Sequence, residues 1–432
     1  MDKLRPFQLV VLAIFAFSAV LGLIIFANYG GFGGSKEQIG VVTIWGTLPQ
    51  EAVAERISVL AGDNEAYTEV SYVQRSESTF SSDLSNAIAA GAGPDLVIIS
   101  QETLLTEQNK LQLISFSSIP QRTYLDTYLP LFELFLTAEG TYGVPFVLDP
   151  LVLYYNRSQL ASANLVSPPG TWESLAGIVP ILTARDATGA VGRSAIALGD
   201  YANIQNARAI ISLLLLQAGT PITQHTTQGI RSVLQGEESF GSTPAESAIN
   251  FYTQFADPAK NVYSWNRSLA NSRQQFLSGD LAFYVGFASE LPYLQTANPN
   301  LSFDMAPIPQ PATSVNRTTY GVGYMFALPK QSINPAGAFS VATALSDSDS
   351  MNAVAKSLSM APARRALLTV AAEDTFTPIY YAAALTARGW LSPTPSVTDG
   401  IFAGMIGNIT SGRFDVTQAI NAAEQSLNAS LR

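Results

Sequence analysis

Cysteine is absent from the chain, and histidine occurs only once among its 432 residues, as His225. The lack of thiols excludes disulfide bonds, thiolate metal sites, cysteine nucleophiles and a lipid-modified cysteine anchor. A mechanism that needs a histidine base or several histidine metal ligands would depend on His225 alone. This residue lies in the polar stretch 223–227, which predicts a solvated loop rather than a site.

Charged side chains are also scarce, at 13% of the residues, and the acidic ones outnumber the basic ones to give a net charge of −10. The basic residues form no cluster, which argues against a surface for nucleic acid or anionic lipid. Hydrophobic residues make up 47% of the chain, which predicts a packed globular protein. The length of the chain predicts two domains rather than one core.

The N-terminus carries one long hydrophobic run. Residues 7–27 are apolar apart from two polar positions, and the run follows Lys3 and Arg5. As a helix it would be about 31 Å long, which matches the bilayer core and exceeds the roughly 7–15 residues of a signal-peptide hydrophobic region. We therefore expect an uncleaved anchor, with the two basic residues in the cytoplasm and the rest of the chain outside. The glycine-rich residues 30–35 predict a flexible tether.

Short apolar strands alternate with amphipathic helical patterns after the tether. Strands are predicted at 41–45, 70–73 and 96–99, with helices near 50–60 and 80–88 between them. This alternation is typical of a parallel sheet that helices cover on both faces. Ligands of such sheets lie beyond the carboxyl ends of the strands, so we expect a site near residues 45–47, 74–77 and 100–102.

Residues 142–156, YGVPFVLDPLVLYYN, form the stretch around which we expect the rest to be organised. The β-branched and aromatic side chains predict a buried strand, interrupted at Asp149 and Pro150. Pro150 fixes φ and lacks a backbone donor, so the strand must bend or change sheets there. Burying the Asp149 carboxylate without a partner is costly. Asp149 could therefore face a cleft, or it could cap the turn.

This stretch and four other motifs resemble, in the same order, the extracellular solute-binding proteins of ABC importers, in particular the sugar-binding, maltose-binding-like group. The four motifs are VTIWG at 42–46, AAGAGPDLV at 89–97, PPGTWESL at 168–175 and FLSGDLAF at 276–283. The resemblance extends from about residue 39 to the C-terminus. It implies an α/β, two-lobed periplasmic-binding-protein-like fold of type II, in which each lobe is a mixed sheet flanked by helices.

The resemblance also implies how the chain is divided and what it does. The anchor and tether would occupy residues 1–38, the first lobe 39–147 and 306–350, and the second lobe 148–305 and 351–432. The protein would capture a carbohydrate, with an oligosaccharide favoured, between hinged lobes and deliver it to the permease subunits of an ABC importer. No catalysis, cofactor or metal is expected.

Eight residues have the chemical character of a sugar site. Aromatic rings can stack on the apolar face of a sugar, and planar polar side chains can bind its hydroxyls. The stacking candidates are Trp45, Phe287, Tyr324 and Trp390, and the hydrogen-bonding candidates are Glu77, Gln101, Asp149 and Arg364. The resemblance suggests Phe287, Arg364 and Trp390, because they fall where the family brings the second lobe or the C-terminal segment to the ligand. Each aromatic residue could instead belong to the core.

Three alternative functions remain open at this point. Glu77 and Asp149 could be the two carboxylates of a glycoside hydrolase. The protein could be an anchored receptor that signals to a membrane partner. The same fold could also bind ferric ion or a phosphorylated solute, although the chain has no P-loop motif. The tyrosine pairs 154–155 and 380–381 could be offered as iron ligands, but each pair points to opposite faces if its segment is a strand.

Overall fold

A computed structural model describes residues 39–227, 229–236, 242–369 and 374–431 of the chain. The predicted anchor at 7–27 and the tether at 30–35 lie outside these residues. Within the described ranges, we find no helix whose length and apolar character would allow it to cross a membrane.

The first part of the chain folds as the alternating pattern predicts. The elements are β1 Val42–Gly46, α1 Gln50–Asp63, β2 Val70–Gln74, α2 Phe80–Ala89 and β3 Leu96–Ser100. β1 lies between β2 and β3 and is parallel to both. Every residue of β3 is buried, as expected for a strand that is covered on both faces. Helices α1 and α2 begin and end within a few residues of their predicted limits.

A region of short elements links this sheet to the long central strand. It contains α3 Leu104–Glu107, β4 Leu111–Gln112, β5 Ile114–Ser115, α4 Gln121–Thr127 and β6 Gly140–Thr141, with 3₁₀ turns at Gln108–Lys110 and Pro130–Phe135. Another 3₁₀ turn, Glu65–Tyr67, lies earlier, between α1 and β2. β4 pairs with the C-terminal end of a later strand, and β5 pairs with β6. The region therefore covers one end of the first sheet.

Strand β7, Val144–Asn156, belongs to both halves of the molecule. Its first half is antiparallel to β14, Thr319–Pro329, with Pro150 opposite Gly321. From Leu151 onward it is antiparallel to β12, Leu281–Phe287. The predicted change of sheets at Pro150 is confirmed, whereas the predicted interruption is not, because the strand continues through the proline. A residue without a backbone donor is tolerated where one set of ladder bonds ends and another begins.

The second half of the chain forms a smaller sheet with its own helices. The elements are α5 Arg157–Ser162, α6 Trp172–Leu182, β8 Ala184–Arg185, β9 Val191–Ile196, α7 Ala207–Gln217, β10 Thr223–Thr226, β11 Gly229–Ser232, α8 Pro244–Thr253, α9 Ser272–Leu277, β12, α10 Leu291–Ala297 and β13 Phe303–Ala306. Further 3₁₀ turns lie at Gln254–Ala256 and Ala288–Glu290. β12 is parallel to β9, and β13 is antiparallel to β7, so the sheet is mixed.

The chain then returns through β14 and ends in helices. The remaining elements are α11 Pro335–Leu345, α12 Ser348–Leu358, β15 Ala361–Pro362, a 3₁₀ turn at Arg365–Thr369, α13 Thr377–Thr386, β16 Ala387–Arg388, α14 Pro395–Thr410 and α15 Val416–Ser430. The main sheet has the order β2-β1-β3-β14-β7-β12-β9-β8. Its two ends, joined by β7, are the cores of a first and a second lobe.

The passage of the chain out of the first lobe is later than the predicted limit at residue 350. That residue falls within α12, and Arg56 of α1 donates from Nε to Ser350 Oγ at 2.9 Å. β15 then pairs with β7 with Ala361 opposite Leu148. The chain therefore keeps its contacts with the first lobe as far as β15, and the full division into lobes stays a prediction.

Two glycine substitutions test the packing around β7. In Gly143→Ala the new Cβ would lie 2.2 Å from the backbone oxygen of Phe326, which no side-chain rotation can relieve. We expect this variant to lose about 1–3 kcal/mol of unfolding free energy. Gly177→Ala is the control, because no atom lies within 4 Å of its new Cβ on the exposed face of α6. It should gain about 0.5–1 kcal/mol through helix propensity. Equal urea midpoints for the two variants would contradict this packing.

Candidate ligand-binding cleft

A cavity of about 270 Å³ lies where the two lobes meet. Its wall consists of Thr47, Glu77, Phe80, Ile98, Ile99, Ser100, Glu102, Thr103, Asp149, Asn206, Arg208, Phe287, Val322 and Tyr324. The first lobe contributes the carboxyl ends of β1 and β3 and the segment after β2. The second contributes the start of α7 and the end of β12, while β7 and β14 form the floor. The cavity thus lies at the sheet edge at which ligands of parallel sheets bind.

Glu290 holds two groups of the second lobe against the cavity. Its Oε1 accepts a hydrogen bond from the backbone N–H of Phe287 at 2.9 Å and another from Asn206 Nδ2 at 2.7 Å. The aromatic ring and the amide that line the wall are therefore fixed by one carboxylate behind them. Such support keeps a binding surface in place before a ligand arrives.

Asp149 lies in the cavity floor and is only 5% exposed. Its Oδ1 accepts from the backbone N–H of Ser289 at 3.1 Å, and its Oδ2 accepts from Ser289 Oγ at 2.5 Å. Burial raises the pKa of Asp149 to about 7, and the two bonds from Ser289 offset only part of that effect. Burial therefore favours the protonated form of this carboxyl group far more than water does.

Arg208 joins the two lobes in this conformation. Its Nη1 lies 2.6 Å from Oε1 of Glu102, which follows β3 in the first lobe, and its Nε lies 3.3 Å from Oδ1 of Asp399 on α14. The hydroxyl of Tyr320 also donates to Glu102. Burial acts to lower the pKa of Arg208, but Glu102, Tyr320 and Asp399 together outweigh it and hold that pKa above its ordinary value. The guanidinium is permanently charged.

Glu77 stands at the opposite wall, in the segment after β2. Its side chain is exposed, and in the described part of the chain it forms no hydrogen bond or ion pair. Partial burial and then the negative charge of Glu102 raise the pKa of Glu77 above its ordinary value. Arg208 counteracts this shift only in part.

Four of the eight predicted site residues come together around this cavity, namely Glu77, Asp149, Phe287 and Tyr324. They come from four separate segments of the chain, so only folding unites them. Their contact with a solute stays a prediction, but their positions agree with it.

Gln101 and Trp390 are not part of the wall. Gln101 is fully buried, where its Nε2 donates to Gly321 O at 3.0 Å and its Oε1 accepts from Gly323 N–H at 2.8 Å. Trp390 is 2% exposed and donates from Nε1 to Ser212 Oγ at 3.0 Å. In this conformation the polar atoms of both side chains bind other groups inside the protein. Trp390 thus packs as a core aromatic residue, which was the alternative to a role in the site.

Trp45 and Arg364 also lie away from the wall. Trp45 is 7% exposed, and the guanidinium carbon of Arg75 lies 3.7 Å from its ring centroid. Arg364 donates from Nε to Ser346 O at 2.9 Å and stands over the ring of Tyr128. The strand end that carries Trp45 reaches the cavity through Thr47 instead.

The eight predicted site residues leave out several polar residues of the wall, among them Glu102, Asn206 and Arg208. Glu102 lies within the segment 100–102 that was expected to adjoin the site, just after β3. Arg208 carried a clearer signal. A lone cation on the otherwise apolar helix α7 requires an acidic partner elsewhere in the fold.

The two-lobed α/β architecture and the cavity between its lobes define a solute-binding protein. The chain belongs to the bacterial extracellular solute-binding protein family, whose model matches residues 61–378. The predicted family is thereby confirmed. A search of curated protein sequences finds no match.

Solved structures of similar architecture cover nearly the whole chain. The cyclic α-maltosyl-1,6-maltose binding protein from Arthrobacter globiformis superposes with a TM-score of 0.73, 18% identity and coverage of 91% of this chain and 99% of that one. An ABC transporter solute-binding protein from Thermotoga lettingae, bound with α-D-tagatose, has a TM-score of 0.66 and 19% identity, and the match covers 91% of this chain and 100% of that one. The Thermus thermophilus maltotriose-binding protein has a TM-score of 0.67 and 16% identity, with coverage of 90% of this chain and 100% of that one. At these identities the likeness shows the shared fold.

Replacing Asp149 by asparagine should change how stability depends on pH. The folded pKa of about 7 exceeds the ordinary value of 3.8, so the native state favours the protonated carboxyl. The protonated Asp149 carboxyl contributes fully to the unfolding free energy below about pH 4. This contribution, up to about 4 kcal/mol, is lost as the pH rises through the folded pKa of about 7. Asp149→Asn should therefore gain melting temperature relative to the parent between pH 5 and pH 8. Asp126→Asn, at a carboxylate that is 72% exposed, is the control. A difference in melting temperature between Asp149→Asn and the parent that stays constant from pH 5 to pH 8 would contradict the raised pKa of Asp149.

Arg208→Met tests the ion pair between the lobes. The variant leaves Glu102, whose side chain is 7% exposed, without its cation. Removing one partner of a buried pair costs about 3 kcal/mol or more, and we expect a loss of that order in urea unfolding. The control is Arg122→Met, whose ion pair with Asp126 is 3.6 Å long and largely exposed, and it should change stability by less than about 1 kcal/mol. Similar losses of unfolding free energy in the two variants would show that the pair between Arg208 and Glu102 stabilises the protein no more than an exposed ion pair does.

Proposed function

We propose that the protein is the extracytoplasmic receptor of an ABC importer that captures a carbohydrate between its two lobes. The observation that carries this proposal is the cavity at the lobe junction, where the Phe287 and Tyr324 rings converge with Asp149 and Asn206. Aromatic rings offer apolar area at little conformational cost, and a few polar groups fix the orientation of a small ligand. A sugar presents both kinds of surface.

The structural relatives support a saccharide as the solute. The protein from Arthrobacter globiformis is named for a cyclic maltosaccharide, and the two others hold tagatose and maltotriose. They share the fold at low identity, so they indicate the class of ligand rather than its identity.

Binding and release would follow from hinged motion of the lobes. The strands β7 and β14 connect the lobes, whereas the pair between Glu102 and Arg208 exists only while the lobes are close together. A ligand that contacts both walls favours the closed state through its additional contacts there. The closed form would then deliver its solute to the permease subunits of the importer.

We place the binding domain outside the cell membrane and assign residues 7–27 as a single-pass anchor. The apolar length of that segment and the basic residues before it support this assignment. Tethering would raise the effective concentration of the receptor near its permease. Membership of a solute-binding family favours a receptor over an enzyme, so we assign no catalytic step to the cleft carboxylates.

A thermal-shift screen of the full-length chain tests the proposal. The chain would be held in a detergent without a sugar headgroup and exposed to mono- and oligosaccharides, polyols, amino acids and ferric ion. A ligand at 100 times its dissociation constant should add about 2.7 kcal/mol of stability. We expect a selective shift with saccharides. A shift with amino acids or ferric ion and with no saccharide would overturn the proposed ligand class.

Phe287→Ala locates the site. The variant removes a ring that lines the cavity, and we expect the affinity for the saccharide that stabilises the parent to fall about tenfold in isothermal titration. Tyr293→Ala removes a ring of the same lobe that is 49% exposed and lies outside the wall, and it should leave the affinity unchanged. Equal affinities for the two variants would place the ligand elsewhere.

A further inference from the structure

Carboxylates outnumber cations around the cavity. Glu77, Glu102 and Asp149 line it, and Asp399 lies directly behind it on Arg208. Among the described residues of the wall, Arg208 is the one cation. The overall charge of −10 has the same sign. Both the side chains near the cavity and the protein as a whole therefore favour the approach of a positively charged solute.

The charge of Arg208 is already balanced. Its Nη1 and Nε lie within 2.6 and 3.3 Å of two different carboxylates, Glu102 and Asp399. One guanidinium therefore faces two negative charges, and this cluster carries a net negative charge without Glu77 and Asp149. An anionic solute would meet no uncompensated cation here.

Glu77 and Asp149 line the cavity and form no ion pair with the described residues. Asp149 accepts hydrogen bonds from the N–H and O–H of Ser289, which are neutral donors. Glu77 has no donor at all among the described residues. Tyr324 also lines the cavity, and its hydroxyl forms no hydrogen bond with the described residues. Its pKa is raised first by burial and then by the charges of Asp149, Glu77 and Glu102. The side-chain groups of the wall that remain free to bind a solute are therefore carboxylate acceptors and hydroxyls, and they include no free cation among the described residues.

A ligand that closes this cleft removes water from Glu77. Desolvating an ionised carboxylate without a partner opposes binding, whereas a positive charge on the ligand compensates it. A metal ion is a poor candidate, because no group of three or more acidic or imidazole side chains in the described chain could hold one. A single charged nitrogen on an organic solute needs only one or two carboxylates.

We propose that the captured saccharide carries a protonated amine, as an amino sugar does, and that the carboxylates of the cleft, foremost Glu77, receive its ammonium group. The inference rests on the proposed function and names the chemical class within it. The ring of the sugar would lie against Phe287 and Tyr324, while Asp149 binds hydroxyl or ammonium hydrogens at the floor. The pair between Glu102 and Arg208 holds the opposite wall and leaves no free cation to repel the amine.

Matched sugars that differ only in whether each ring carries an amine, a hydroxyl or an acetamide test this inference. Isothermal titration of the full-length chain, at a pH at which the amines are protonated, would compare glucosamine, glucose and N-acetylglucosamine. A second set would compare the glucosamine disaccharide of chitosan, cellobiose and diacetylchitobiose. We expect the amino member of at least one set to bind ten times or more tighter than both neutral members. Added salt should reduce this preference.

Glu77→Gln should reduce the ratio of amino-sugar affinity to neutral-sugar affinity about tenfold. Glu55→Gln is the matched control, because Glu55 is an exposed glutamate on α1 that does not line the cavity, and its ratio should equal that of the parent. An unchanged ratio in Glu77→Gln, with both variants folded, would overturn the role of this carboxylate.

The outcomes separate this inference from the proposed function. Neutral sugars that bind as tightly as their amino counterparts would overturn the amine inference and leave the carbohydrate receptor in place. Binding of spermidine without binding of any sugar would support a cation site and overturn the carbohydrate. The absence of binding by every amino and neutral sugar tested would contradict both.

Discussion

Strand β7 imposes the constraint on which the rest of the structure depends. Its residues are buried almost without exception over Val144–Asn156, and it takes its ladder partners from β14 up to Pro150 and from β12 beyond it. Pro150 can contribute no donor, and this is where the pairing changes. Because one strand serves both sheets, the carboxyl ends of the strands from the two lobes face a common space. Asp149, beside the proline, is thereby placed in the floor of that space.

The electrostatics of the cleft follow from the same arrangement. Asp149 is buried because it belongs to the central strand β7, and Ser289 supplies only neutral donors to it. Arg208 is able to lie on an apolar helix because the first lobe brings Glu102 to it and α14 brings Asp399. In the proposed hinged motion, these groups would couple the position of the lobes to the balance of charge, since opening the cleft would separate Glu102 from Arg208. A solute that compensates the remaining negative charge would favour the closed arrangement.

Much of the fold could be predicted from the sequence, because its signals are local. The alternation of apolar runs and amphipathic stretches gave β1, α1, β2, α2 and β3, and Thr171 caps α6 as its side chain suggests. Helix α7 begins at Ala207, and Asn206 just before it binds Glu290, a partner that no local pattern indicates. His225 is exposed as expected, but it lies in the hairpin strand β10 rather than in a loop.

The site could be predicted only in part, because it is assembled by contacts between distant segments. Phe287 was accessible through the resemblance to a known family, Tyr324 through the aromatic character of a sugar site, and Asp149 through the cost of burying a carboxylate. Trp390 could not be separated from core aromatics by sequence, since its ring stacks on Phe402 and its N–H binds Ser212. The partners of Arg208 lie 106 positions before it and on α14 far beyond it, so no local pattern could reveal them.

A crystal structure of the protein with its tightest-binding saccharide tests the central claim most directly. The account predicts the sugar between the lobes, with its ring against Phe287 and Tyr324 and its polar groups on Asp149 and Glu77. A sugar bound on an outer face of either lobe, with the cleft between them free of it, would contradict the account.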